Sequence, residues 1–163
     1  MAALKRLWRS ETGAELVEFA MVAPLMLVLI GGITDFARLF QSYEVVTNAT
    51  REGARLAALP GYNINGYATV RNRIAQYIQA GGAADTHTTD IDLQAIDLGG
   101  GATSSGVCVR VTYSHRFWFV APLYALLSGT FQTTLPFTTR ALMRTEMPVP
   151  VPVPTGGDPC AGA

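Results

Sequence analysis

Sixteen consecutive residues without a charge, Phe19 to Thr34 (FAMVAPLMLVLIGGIT), constrain this chain more than any other feature. Counted back to Ala14, the apolar segment reaches about twenty residues, the length at which an α-helix crosses the hydrocarbon core of a bilayer. Cytoplasmic flanks are enriched in Lys and Arg, so Lys5, Arg6 and Arg9 predict a cytoplasmic N-terminus and place everything after Asp35 on the other side. A cleavable secretory signal has the same basic start and apolar core. Two details disfavour it. Ile33, Thr34, Asp35 and Phe36 stand where a small-x-small cleavage pair should follow the run, and Glu18 lies within the first turns of the apolar segment. A carboxylate at the bilayer centre costs about 3 kcal/mol on insertion scales. Glu18 therefore either sits at the interface beside the headgroups and the basic leader, where it costs little, or meets a positive partner.

The residues Gly13-Ala14-Glu15-Leu16-Val17-Glu18-Phe19 resemble the processing site of type IV prepilins: a basic leader ending in Gly, then a mature apolar helix with Glu at its fifth position. The wider set is similar to the TadE-like (TadE/TadG) proteins of tight-adherence pili. It comprises Val17-Glu18-Phe19-Ala20, Pro24, Asp35-Phe36-Ala37-Arg38, Asn48-Ala49-Thr50-Arg51-Glu52-Gly53-Ala54-Arg55 and the closing Arg140-Ala141-Leu142-Met143-Arg144-Thr145-Glu146. The resemblance implies cleavage between Gly13 and Ala14 by a prepilin peptidase and retention of the anchor. It also implies pairing of Glu18, followed by Phe19, with the amino terminus of a neighbouring subunit, since a buried carboxylate needs a cation in low dielectric. Glu15 departs from the pattern by adding a like charge near Glu18.

The function so implied is that of a non-enzymatic pseudopilin or minor pilin that helps initiate, assemble or anchor a pilus. Its partners would be the prepilin peptidase, other pilins or pseudopilins, the inner-membrane assembly platform and membrane lipid. The location would be the bacterial inner membrane, in a single pass. An uncleaved bitopic scaffold of the same machinery is the alternative within this class; a membrane-anchored periplasmic binding domain or enzyme is the alternative outside it.

Helical spacing continues past the anchor. Phe36, Leu39, Phe40, Tyr43, Val46, Thr50, Ala54 and Ala57 form an apolar or small stripe, with Arg38, Gln41, Glu44, Asn48, Arg51, Glu52 and Arg55 on other faces. This predicts a stem helix packed on its own head domain, kinked at most at Pro24 or Gly31-Gly32 and ended by Leu59-Pro60-Gly61. Tyr67, Val70, Ile74, Tyr77 and Ile78 predict a second helix, stopped by Gly81-Gly82. Ile91, Leu93 and Ala95 alternate with Asp90, Asp92 and Gln94 as in a half-solvated strand. Val107, Val109, Val111 and Tyr113 predict a second strand after a glycine-rich turn, and Phe131 to Met143 a third, with Pro136 marking an edge or a break. A short helix is expected from Leu123 to Ser128. The expected fold class is α+β: one transmembrane helix continuing into a long amphipathic stem, packed on a small antiparallel sheet of about three strands, with one or two short helices. The boundaries are a leader at 1–13, a transmembrane helix at 14–34, a stem at 35–59, an extracytoplasmic domain at 60–146 and a proline-rich tail at 147–163.

Lys plus Arg and Asp plus Glu balance at twelve each, so the chain lacks the basic field that binds nucleic acid through phosphates. Cys108 and Cys160 are too distant for a Cys-x-x-Cys motif; outside the cytoplasm they could form a disulfide, or remain a buried strand thiol and an unrelated tail thiol. No nucleophile motif, phosphate-binding loop or metal-spaced pair includes His87 or His115, and His115 reads as a strand-end residue. Asp85, Asp90, Asp92 and Asp97 resemble a calcium loop only superficially, because Ile91 and Leu93 alternate with them as buried strand positions would. No enzyme, cofactor, metal or small-molecule substrate is expected. The aromatic run Phe117-Trp118-Phe119 reads as core packing, with an exposed contact patch as the other option.

Overall fold

The computed structural model describes residues 11–62, 66–97, 103–122, 125, 134–145 and 160. The leader residues Lys5, Arg6 and Arg9, Phe131, Tyr124, most of the helix expected at Leu123–Ser128 and the proline-rich tail apart from Cys160 lie outside them. The chain divides into two compact units. One comprises Met1–Arg38 with Phe117–Thr133, the other Leu39–Arg116 with Thr134–Ala163.

Helix α1, Glu11–Ala57, is a single hydrogen-bonded element of 47 residues, about 70 Å at 1.5 Å per residue, and runs through Pro24 and Gly31-Gly32. It contributes residues to both units. In the second unit it is followed by α2, Ala68–Ala80, and by strands β1, His87–Asp97, β2, Thr103–Arg116, and β3, Thr134–Arg144. The three strands form one antiparallel sheet in the order β1-β2-β3. The fold is thus α+β with an N-terminal helix long and apolar enough to cross a membrane.

The core of the second unit is small and tightly specified. Val46, Ala49, Ala54 and Ala57 of α1, Val70, Ile74 and Ile78 of α2, and Ile91, Val107, Val109, Val111 and Tyr113 of the sheet are all buried. Positions 46, 49, 50, 53, 54 and 57 keep helical spacing, and all but Val46 and Thr50 are Ala or Gly, so the helix backbone approaches its neighbours closely. At Gly53 a Cβ would lie 2.6 Å from Ile74 Cγ1. The stem stripe therefore needs correcting at its start: Phe36, Phe40 and Tyr43 are exposed. The face buried in the second unit begins at Ser42 and Val46.

Helix α2 buries Val70, Ile74 and Ile78, four residues apart, and leaves Tyr77, at the margin of that face, exposed. Its end is a Schellman motif: Ala83 N–H donates to Ile78 O at 3.1 Å and Gly82 N–H to Gln79 O at 3.0 Å. Gly82 supplies the left-handed conformation this requires, φ +79°.

Strands β1 and β2 are longer than the alternation of their side chains predicts. Ser104 to Gly106, expected in a turn, are paired in β2, and β1 begins at His87. Pro136 lies within β3, which as an edge strand tolerates a missing donor. Gln94, expected to face solvent, is buried. It pairs with Gly106, whose missing side chain leaves room filled by Ile96 and Leu142, so this second face carries its own apolar patch. Cys108 shares that face and is buried; its Cα lies 6.1 Å from that of Cys160, and the two sulfurs are bonded.

Thr50 links helix to sheet. Its hydroxyl donates to Val46 O at 2.7 Å and so accepts from the Thr139 hydroxyl at 2.6 Å, both side chains being buried. Thr50→Val strands the Thr139 donor and is expected to cost about 1–2 kcal/mol, lowering the unfolding midpoint by about 5–10 °C. Adding Thr139→Val should restore part of that loss, and a double variant less stable than Thr50→Val alone would refute the pairing.

Candidate functional site

The Gly13–Ala14 peptide bond lies in the first turn of α1. Residues 14–20 are exposed. Glu18 follows Ala14 by four residues and Glu15 by three, spacings that put all three on neighbouring positions of one helix surface. An amino group generated at Ala14 would therefore have the Glu18 carboxylate one turn away in its own chain, with Glu15 beside it as a like charge.

From Leu16 to Ile33 the large apolar side chains are exposed around the helix, among them Phe19 at 69 %, Leu25, Leu27, Ile30 and Ile33. A surface apolar on every side is a membrane span's pattern, whereas a soluble amphipathic helix shows one apolar face. It suits a single-pass membrane protein.

Asp35 ends the uncharged run. Its side chain is 1 % exposed, and its carboxylate accepts three backbone N–H groups, from Trp118 at 3.2 Å and from Phe119 and Val120 at 2.8 Å each. The carboxylate acts as an N-cap for the turn beginning at Val120, and three donors satisfy the charge that burial would otherwise penalise. The clasp decides the fate of the aromatic run. Trp118 and Phe119, expected in the core, are 63 % and 56 % exposed, because their backbone rather than their rings is anchored. Phe117 meets Phe36 edge-on at 6.4 Å, and the Arg38 guanidinium lies 5.5 Å from the Trp118 ring centroid.

His115, the penultimate residue of β2, is buried in the second unit. Its Nδ1 lies 3.5 Å from Ser42 Oγ and 3.8 Å from Asp85 Oδ2. These are the residue types of a hydrolytic triad in the wrong arrangement, since both oxygens address one ring nitrogen, whereas catalysis needs the serine on Nε2 and the acid on Nδ1. Asp85 is instead a structural tie: its carboxylate accepts Arg116 N–H at 3.1 Å, and its own N–H donates to the Tyr113 hydroxyl at 3.2 Å. Burial pushes the Tyr113 phenol above its ordinary pKa, and the Asp85 N–H opposes that shift. Asp90 stands opposite Arg110, and Arg110 opposite Arg140, forming a cross-strand row of charged residues in place of a cation loop.

Sequence patterns single out Gly13, Ala14, Glu18, Phe19, Cys108 and Cys160. The structure places the first four on one helical segment, within two turns of each other. The Asp35 clasp is not foreseeable in the same way, because its partners lie 83 to 85 residues away. The only local signal is an acid immediately after an uncharged run.

Residues 13–55 match the family model described as TadE-like protein. The match starts at Gly13 and ends two residues before the end of α1, so it covers the helix and not the sheet. Searches of curated proteins and of solved structures give no match.

Proposed function

We propose that this chain, TadE-like over residues 13–55 and so a component related to the tight-adherence pilus, is a pseudopilin or minor pilin that helps initiate, assemble or anchor the fibre. The family match along α1 is the observation that carries this reading, because it begins at the glycine where a prepilin leader would end. On this reading residues 1–13 are the leader, 14–34 span the inner membrane with the N-terminus cytoplasmic, and 35–59 form the stem. Residues 60–146 are the extracytoplasmic domain, and 147–163 form its tail. Prepilin peptidase cuts between Gly13 and Ala14, and the new ammonium group meets Glu18. A neighbour's terminus competes for that carboxylate with the chain's own Ala14, one turn away. Glu15 raises the negative potential there and favours bringing in a second cation from another pilin or the assembly platform.

The N-terminal mass of the full chain, from cells with and without the prepilin peptidase, tests the processing step. A mature chain beginning at Ala14 only when the peptidase is present is the expected result. An intact leader in both strains would replace this reading with that of an uncleaved bitopic scaffold.

A further inference from the structure

Between Phe19 and Thr34 the uncharged run is about 24 Å long, and the residues back to Ala14 bring the span to about 31 Å, the thickness of a typical hydrocarbon core. Asp35 would close it on the extracytoplasmic side. The clasp changes that limit: the carboxylate is buried under three N–H groups, and the next residues, Phe36 and Ala37, are again apolar, with Arg38 the first charge that reaches solvent. The apolar surface of the helix therefore continues past Asp35 as far as Ala37.

The residues that hide Asp35 are themselves apolar and lie beside the span. Phe119 packs on Gly31, where an added Cβ would stand 3.0 Å from Phe119 Cβ. Gly31 lies one turn, about 6 Å, to the membrane side of Asp35, within the uncharged run. Phe119 and Val120 also line a shallow apolar hollow with Leu27 and Val28, deeper still along the helix. Wherever residues 14–34 cross a bilayer, Phe119 is carried to the depth of Gly31. Trp118, mostly exposed and beside the Arg38 guanidinium, occupies the level of Asp35 to Arg38. An indole with a cation at the edge of a span is the pattern of the aromatic belt at the headgroup boundary.

From this geometry we infer that Phe117–Pro122 is a second membrane-contacting element, docked in the outer leaflet of the bilayer that α1 crosses. Phe119 lies at the acyl boundary, and Trp118 with Arg38 lies among the phosphates. The inference rests on residues 14–34 being the transmembrane helix, and it commits to phospholipid as occupant because the exposed rings continue the lipid-facing surface of the span.

Tryptophan quenching in the full chain tests it. The chain contains two tryptophans, Trp8 and Trp118, so Trp8→Phe leaves Trp118 as sole reporter. A second variant, Trp8→Phe/Trp118→Phe/Leu27→Trp, carries its only indole within the span and reports on the anchor itself. Both are reconstituted in phosphatidylethanolamine/phosphatidylglycerol vesicles carrying bromine either near the headgroup or deep in the acyl chain, with aqueous acrylamide as the competing quencher. Trp118 is expected to be quenched strongly by the shallow bromolipid and weakly by acrylamide, and the indole of the span variant by the deep bromolipid. Lipid quenching of the span variant together with acrylamide quenching of Trp118 would overturn the docking while leaving the anchor intact. Trp118 shielded from both quenchers would assign the patch to a protein partner and overturn it as well. Lipid quenching in neither variant would refute the anchor and the inference together.

Discussion

Cys108→Ser is expected to lower the unfolding midpoint of the full chain in detergent by on the order of 20 °C. The bond between Cys108 and Cys160 closes a loop of 52 residues, and constraining a loop of that length removes chain entropy from the unfolded state worth about 4 kcal/mol. For a small domain each kcal/mol shifts the midpoint by about 4–8 °C. Serine at either position also buries a hydroxyl, since both cysteines are buried, so Cys160→Ser serves as the partner experiment. The two variants should fall together, and reductant should bring the wild type down to them. Equal midpoints for wild type and both variants would show that the bond does not form in the protein. The proposed topology points the same way as the geometry, because a domain outside the cytoplasm folds where paired thiols oxidise.

Asp35→Ala should release the turn at 118–120. Hydrogen bonds to a charged acceptor contribute about 1.5–3 kcal/mol each. Three lost at a partly buried site, after discounting for solvent, amount to a local destabilisation of about 3–5 kcal/mol. Each 1.4 kcal/mol is a factor of ten, so exchange of the Trp118, Phe119 and Val120 amides should accelerate at least about a hundredfold. Asp35→Asn keeps one carbonyl oxygen and should show an intermediate rate. The second unit's core amides, Val107 to Tyr113, serve as control and should not change. Equal acceleration in both places would mean that Asp35 supports global stability and is not a local clasp.

Elements whose determinants are local are legible in the sequence. The period-two alternation of Val107, Val109, Val111 and Tyr113 marks β2 because a buried sheet face selects every second residue. Gly81-Gly82 marks the end of α2 because the Schellman turn needs a left-handed residue. The membrane-length helix is legible from the length of its apolar run alone. Elements decided by partners distant in sequence are not. Phe36 and Phe40 keep helical spacing with Val46, and spacing cannot say which turns are buried. The aromatics at 117–119 look like core until Asp35 is seen to hold their backbone. Gln94 reads as solvent-facing until Gly106, opposite it, lets Ile96 and Leu142 fill the space beside it.

The sheet's strand order has a temporal consequence. On the proposed topology, and because among the described residues β1, β2 and β3 pair with their neighbours in the chain, each pairing can close as soon as the next strand has crossed the membrane, with little entropy lost to distant loop closure. Val46 to Ala57, the helical surface they cover, will already have emerged. Cys160 crosses after all three strands, so thiol oxidation meets a sheet already formed, and Cys108 is presented to one partner rather than searching an unfolded chain. Vectorial export and this meander therefore proceed in the same direction, and the covalent step fixes the domain only after it has folded.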